Sequence, residues 1–416
     1  MFDLDNWQEL FGTLRRNKLR SFLTAFGVFW GIFMLVVMLG AGRGLQNGAT
    51  RGFTGFATNS FFLWAQSTSV PYKGFKSGRE FDFENDDIEA LKKNVPECEI
   101  ISARNQKGDF GNNSAVTHGT RAGSFQVLGD FPQFLQIQPV KKLEGRFINP
   151  LDIRFNRKVA VIGKKVVETL FGKDTAVIGQ SIGIAGIPFL VVGVIRTAKS
   201  KEDETLESIY LPFTTFQRTF NMGKRVGWFS ITSKEGIPCS ITEEKAMKVL
   251  AERHSISPED KFAIGHWNKQ EQFNKMQNLF TGIRMLVWIV GTGTLLAGII
   301  GVSNIMLIVV RERTREIGIK RAIGASPRVI LLQILSESVF LTLLAGYFGL
   351  ISGIFLMEGI SSQLGEEGTD MFVNPSVDLF VALTSMGILV MGGLLAGLIP
   401  ALRAIRIQTV EALRAE

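Results

Sequence analysis

Arg311-Glu-Arg-Thr-Arg-Glu-Ile-Gly-Ile-Lys-Arg-Ala-Ile-Gly-Ala325 follows directly on an uncharged apolar run, Met285–Val310. Such a run can cross a bilayer, which takes about 20 apolar residues. The charged stretch behind it cannot stay in hydrocarbon, and its excess of Arg and Lys places it on the cytoplasmic face. It also has the spacing of a short helix. Glu312 and Glu316 are one turn apart, and Glu316 precedes Lys320 by one turn, the favourable acid-before-base order. Ile319, Ala322 and Ile323 share a face. Gly324 is a stop, Ser326 a fresh N-cap, and Pro327 suits the first position of the next helix. The segment reads as an amphipathic connector between two spans, with charges to dock and an apolar edge to enter a groove.

Outward from it, the chain has three further apolar stretches of spanning length: Phe22–Ala41, Val329–Met357 and Leu379–Leu402. The expected fold is a membrane protein with four transmembrane α-helices in a 1+3 arrangement, and a large extracytoplasmic α+β domain between the first and second. Arg15, Arg16, Lys18 and Arg20 precede the first span; Arg403, Arg406 and Arg414 follow the fourth. The connection 358–378 has no Lys or Arg and carries Glu358, Glu366, Glu367, Asp370 and Asp378. This bias puts both termini in the cytoplasm and the domain 42–284 outside. A cleaved signal peptide does not fit the first span, whose apolar region is too long and has no A-x-A-type end. The net charge of +8 is scattered among acids without a basic block, so nucleic acid is not an expected partner.

The external segment reads as mixed α and β. Strands are expected over Asn59–Ala65, Val116–Arg121, Val159–Gly163, Gln180–Ala185, Phe189–Ile195, Ser208–Pro212 and Trp228–Thr232. Helices are expected over Asp86–Val95 with Asn85 as cap, Lys164–Phe171 closed by Gly172, Thr242–His254 capped by Thr242, and Asn268–Leu286 running into the second span. A change of texture near Phe125 and back near Phe216 suggests one subdomain inserted in another. The polar run Lys199–Glu207 reads as a solvated connection. Cys98 and Cys239 both lie outside, where a disulfide is permitted; two unpaired thiols fit the sequence equally well.

The chain has no G-x-x-x-x-G-K-[ST], no G-x-S-x-G and no H-E-x-x-H. His118, His254 and His266 stand at no metal-ligand interval and read as surface or structural residues, so no metal site is expected. A non-catalytic chain is the expectation. In the second span, Gly291, Ala297, Gly298 and Gly301 allow close helix packing or dimerisation, and Asn304 can hydrogen-bond across a helix interface. Glycine is also simply commoner in membrane helices. Glu337 is the ionisable residue inside the spans. It either faces the bundle interior in a functional role or, two turns past Pro327, reaches the cytoplasmic interface.

Thr314-Arg-Glu-Ile-Gly-Ile-Lys-Arg-Ala-Ile-Gly-Ala325 resembles a signature of the FtsX-like permease family, in particular the MacB/LolC-type mechanotransmission ABC permeases. Asn17-Lys-Leu-Arg-Ser-Phe-Leu-Thr-Ala-Phe-Gly27 resembles that family's entry to the first span, and Pro400–Ile407 with Val410–Arg414 its tail. Gly145-Arg-Phe with Asp152, Val159–Gly163, Leu170–Gly172 and Val191–Val194 resemble its small inserted subdomain. Thr409 stands where many relatives have proline and can cap the tail helix instead. The match covers most of the chain.

The resemblance implies a cytoplasmic ATPase dimer that binds ATP and magnesium and passes motion through the permease to the external domain. The chain begins a few residues before the membrane-entry segment, so a separate ATPase subunit is expected. The coupling element would be the loop 311–328, with Glu312, Arg313, Arg315, Glu316, Ile317, Gly318, Lys320, Arg321, Gly324 and Ala325, and a second contact at Arg403 and Arg406 in the tail 403–416. Residues 1–21 would lie along the interface as an amphipathic helix, with Leu4, Trp7, Leu10, Phe11 and Leu14 on one face. The domain 42–284 would comprise a stalk (42–53 and 268–284), a porter-like unit (55–125 with 216–267) and an inserted unit (126–215). The expected setting is the bacterial inner membrane, beside a second permease copy or paralogue and a periplasmic adaptor with an outer-membrane duct. The expected role is MacB-like export of periplasmic substrates. LolC/E-like lipoprotein release and FtsX-like control of an external hydrolase or sensor are the alternatives.

Overall fold

The computed structural model describes residues 18–51, 57–108, 113–140, 142–172, 176–197, 206–364, 372–375 and 379–406. The expected interfacial helix up to residue 17, most of Lys199–Glu207 and the tail beyond residue 406 lie outside the described residues. The chain divides into two compact units, Arg51–Lys275 and the remainder, Met1–Thr50 with Met276–Glu416.

After helix α1 (Lys18–Arg51), the external unit runs through β1 (Ser60–Ala65), β2 (Phe83–Glu84), α2 (Asn85–Asn94), β3 (Cys98–Gln106), β4 (Ser114–His118), β5 (Arg121–Asp130) and α3 (Phe134–Ile137). It continues with β6 (Lys142–Gly145), α4 (Pro150–Arg154), β7 (Val159–Gly163), α5 (Lys164–Leu170), β8 (Ser181–Ile184), β9 (Ile187–Thr197) and β10 (Ser208–Pro212). It ends with α6 (Phe213–Thr219), β11 (Arg225–Val226), β12 (Trp228–Ser233), α7 (Cys239–Arg253) and β13 (Ile264–Asn268).

Two folds are joined here. β1–α2–β3 and β12–α7–β13 interleave as antiparallel β3-β12-β1-β13, the order of a ferredoxin-like split βαβ unit. Phe61, Leu63, Phe229 and Ile231 alternate inward along β1 and β12 against Leu91, Ala246 and Leu250 of the two helices. Between β3 and β12 the chain makes a ring, β5-β4-β8-β9-β7-β10, closed by parallel pairing of β10 with β5. Its interior is filled at every second residue: Phe125 and Val127, Ile182 and Ile184, Phe189 and Val191, Ala160 and Ile162, Ile209 and Leu211.

The inserted unit therefore opens at β4, earlier than the 126 expected from texture, because β4 pairs with β8 and Val116 enters the ring's core. The expected strand Val116–Arg121 is broken by a hairpin at Gly119, whose φ of +57° leads β4 into β5. Thr242 is buried inside α7 rather than capping it, since that helix starts at Cys239. Glu84, not Asn85, caps α2, with the Asp87 carboxylate accepting from the Glu84 N–H at 2.8 Å.

Buried charges hold these parts together. Arg104 at the end of β3 donates to both oxygens of Asp130 at the end of β5, at 2.8 and 2.7 Å, with its guanidinium 3.6 Å over Phe134. Asp87 also accepts from Arg253 Nε at 2.6 Å and pairs with His254 Nε2 at 2.8 Å, tying α2 to the end of α7. Burial opposes its ionisation, but the bonds from His254, the Glu84 amide and Arg253 outweigh that and hold its carboxyl below the ordinary range. The Arg146–Asp152 pair, at 2.5 Å, occupies the Gly145-Arg-Phe motif, and Gly145 has φ +75° with the Val192 carbonyl where a Cβ would go. Cys98 and Cys239 are free thiols; burial and the neighbouring Glu97 push Cys98 up to about 12.

Two stability measurements follow from these pairs. Asp130→Ala leaves Arg104 buried without its counter-charge, so denaturant unfolding of the full chain should show a loss of about 3–5 kcal/mol. Replacing both by Leu and Met should recover most of it. Asp87 has a depressed folded-state pKa, so its contribution is present above the unfolded carboxylate value of about 3.9 and is lost as pH falls through the folded value. Melting curves against pH should show that acid limb in the native chain, and Asp87→Asn should flatten it while costing about 1–3 kcal/mol at neutral pH.

Candidate functional site

Asn268 caps α8 (Lys269–Glu312), its Oδ1 accepting from the Glu271 amide at 2.9 Å. This helix runs unbroken for 44 residues. At 1.5 Å per residue it is about 66 Å long, twice the hydrocarbon thickness of a bilayer. It stops at Arg313, whose φ of −94° and ψ of 13° turn the chain into α9 (Thr314–Ala322). Gly324, at φ +104°, ends that turn, and Pro327 opens α10 (Pro327–Leu364). The final helix is α11 (Leu379–Ile405). α1, α8, α10 and α11 are each long and apolar enough to cross a membrane, in the expected 1+3 order.

Helical rotation divides the connector into two faces. Ile317 and Gly318 are buried, and Arg313 and Arg321 point the same way. Arg313 Nη1 lies 3.2 Å from Glu337 Oε1 on α10, with Gln333 Nε2 3.4 Å from the same oxygen. The looser approach of Arg313 to Glu316 is 3.9 Å. Arg321 Nη1 donates at 2.9 Å to the Ile405 carbonyl, one of the orphaned acceptors at the end of α11. A small recess beside Arg313 and Glu337 is walled by Val310, Ile317, Lys320 and Ile334. The other face carries Arg311, Glu312, Arg315 and Glu316 together with Ile319 and Ile323, the last 83% exposed.

The residues expected to couple thus fall into separate groups. Glu312, Arg315 and Glu316 face outward; Arg313, Ile317, Gly318 and Arg321 fasten the connector to the spans, with Lys320 half-buried between. Gly324 shapes the exit, Ala325 bonds back to the Lys320 carbonyl at 3.0 Å, and Arg403 and Arg406 are exposed at the end of α11. Glu337 is buried in an ion pair rather than reaching water. The sequence leaves Glu337 and Arg313 unconnected, although each lies about three turns from the Gly324–Pro327 break, on opposite sides of it.

The small residues of α8 also divide. A Cβ on Gly291 would stand 2.4 Å from Leu35, and one on Gly298 3.1 Å from Val28, so both accommodate α1 within the same chain. Ala297 and Asn304 are exposed and Gly301 half-buried on another side. Equally tight contacts, unremarked in the sequence, lie at Gly349, where a Cβ would stand 2.5 Å from the Phe29 carbonyl, and at Gly393 and Gly397 against Thr342 and Ser338. The signal was there in Gly346, Gly349 and Gly353 at helical spacing. Each histidine has a structural partner: His118 the Ser181 carbonyl, His254 Asp87, and His266 Glu243. Among the described residues no His, Cys, Asp and Glu group has the form of a metal site.

Comparison with known proteins agrees with this architecture. Residues 21–243 match the MacB-like periplasmic core domain, and residues 288–409 the FtsX-like permease C-terminal domain. The chain belongs to the MacB-type, FtsX-like family of ABC transporter permeases. A pyoverdine export ATP-binding/permease protein, PvdT, of Pseudomonas putida is 29% identical over 99% of this chain and 60% of its own length. A macrolide export ATP-binding/permease protein, MacB, of Bdellovibrio bacteriovorus is 27% identical over 99% of this chain and 62% of its own. The chain thus spans less than two thirds of these relatives' length. The extracellular domain of the noncanonic ABC-type transporter YknZ from Gram-positive bacteria is similar at 20% identity and TM-score 0.42, covering 50% of this chain and 100% of that one. The periplasmic region of MacB from Actinobacillus actinomycetemcomitans is similar at 16% and 0.43, covering 54% and 94%.

A charge reversal separates pairing from bulk at Arg313. Glu337→Ala should lower thermal stability in detergent by about 3 kcal/mol by taking from the partly buried Arg313 its carboxylate on α10. Arg313→Glu combined with Glu337→Arg should regain more than half of that, a coupling that a double-mutant cycle reads directly.

Proposed function

We propose that this chain is the transmission part of an ABC exporter, taking the motion of a cytoplasmic ABC ATPase and delivering it to a periplasmic domain. The observation that supports it is the two-faced connector α9. Its inner face is fastened to two spans through Arg313–Glu337 and Arg321–Ile405, and its outer face offers Arg315, Glu316, Ile319 and Ile323 to a partner. An exposed isoleucine at 83% needs a groove to enter, and the flanking charges fix its register. The ATP and its magnesium belong to the ATPase, in the same or a separate polypeptide, and this chain supplies no step of hydrolysis.

On this reading the protein sits in a bacterial inner membrane with both termini and α9 in the cytoplasm, and the unit Arg51–Lys275 in the periplasm. A second permease copy completes the assembly. Export with an adaptor and outer-membrane duct is favoured over lipoprotein release or control of an external hydrolase, because relatives matching nearly the whole chain carry export in their names. The exposed side of α8 around Ala297 and Asn304 is the proposed contact with the second copy.

Reversing the outward charges with Arg315→Glu and Glu316→Arg tests the coupling directly. Both side chains are exposed, so the fold and melting temperature should be unchanged. Affinity for the ATPase should fall about tenfold, equivalent to roughly 1.4 kcal/mol, and ATP hydrolysis should no longer alter the external domain. Normal binding and coupling in this variant would remove α9 as the receiving element.

A further inference from the structure

The opposite end of the membrane unit holds contacts that the cytoplasmic elbow does not use. On α1, beyond the apolar stretch 22–41, the Gly44 carbonyl accepts from the Val373 amide at 3.0 Å. Asn47 Nδ2 donates to the carbonyls of Val373 and Asn374, both at 3.3 Å. A Cβ on Gly44 would stand 2.8 Å from the Phe372 ring and 3.0 Å from Pro375, so only glycine lets the ring seat on the helix. That closeness also leaves the carbonyl reachable by a donor additional to its helical one. Between these contacts, Gln46 Nε2 donates to Gln277 Oε1 and its Oε1 accepts from Arg284 Nη2, both at 3.1 Å, on α8. One turn of α1 thus gathers α8 and the connection between α10 and α11.

We propose that residues 44–47 form a fixed joint, with Gly44, Asn47 and Phe372 as positioning residues of the transmission. Motion entering at α9 then reaches α1 by two routes: through α8, and through the α10–α11 hairpin. The inference rests on the coupling reading above. The hairpin is tied to α9 at its cytoplasmic end by Glu337 and the Ile405 carbonyl, and to α1 at its outer end by Phe372–Asn374. A hairpin fastened at both ends cannot act as a passive lipid anchor. Displacing one end loads the other.

The test uses the full chain with its ATPase in proteoliposomes. Asn47→Cys with Asn374→Cys is bridged by a short bis-methanethiosulfonate; Cys98, with its thiol pushed up to about 12, and the fully buried Cys239 compete poorly. The bridge should form to the same extent without nucleotide and after trapping with ATP and vanadate. Gly44→Leu and Phe372→Ala should each lower its yield several-fold. In both variants the nucleotide-dependent change in hydrogen exchange over 42–51 should fall at least threefold, while that over 269–284 persists. A bridge absent at rest, a yield that collapses on trapping, or exchange over 42–51 unaffected by Phe372→Ala would each overturn the joint. Failure of the coupling reading looks different: the resting bridge needs no ATPase, and would still form if reversing Arg315 and Glu316 proved harmless.

Discussion

Hydrocarbon admits neither unpaired backbone groups nor unpaired charge, and the membrane unit is organised around that exclusion. Each of the four described spans is an unbroken helix, and Glu337, buried within α10, is paired. Glu337 is the telling case. Alone at that depth it would be expensive; against Arg313 at 3.2 Å it becomes a fastening. The same constraint makes the break at Arg313 short. Only a single non-helical residue separates α8 from α9, and the Gly324-to-Pro327 turn that follows lies where solvent satisfies its backbone.

The external unit solves a different problem. A four-stranded sheet covered by two helices leaves exposed edges; the ring inserted between β3 and β12 closes on itself and has no edge of its own, while β3 joins it at Asn105 and Gln106 and β13 stays the outer edge among the described residues. Arg104–Asp130 sits where β3 hands over to β5, so the junction is fixed by a bidentate pair instead of by further sheet. Junctions made of charge are sensitive to substitution in a way that apolar ones are not, because losing one partner leaves the other stranded.

Much of this was legible in the residues. Apolar runs and Arg-rich flanks give the spans, and Gly324, Ser326 and Pro327 give the end of α9 and the start of α10, because these signals are local; the break at Arg313 carries no such signal. Strands with alternating β-branched residues, such as Val159–Gly163 and Ser208–Pro212, were equally plain. What escaped depends on distant partners. Whether β4 belonged to the ring could not be read from its own residues, since pairing with β8 decides it. The inward turn of Ile317, Gly318 and Arg321 needed the positions of α10 and α11. Glycines in α10 and α11 show a helical spacing, but which neighbour each one admits depends on the packing of the spans.

The division of α9 bears on how a permease of this kind can transmit force. Under the proposed coupling, a helix that merely touched its motor would rotate under load, since a single non-helical residue joins α9 to α8. Arg313 and Arg321, two turns apart on one face, oppose that rotation by gripping different spans. The outward face is then presented in a fixed orientation, so that on the proposed reading a push on Ile323 or Arg315 would become translation of the bundle. Guanidinium suits both grips, being always charged and able to span a carboxylate or a helix-end carbonyl with a rigid fork. Lysine at either position would keep the charge and lose the orientation, which is the property the proposed transmission requires.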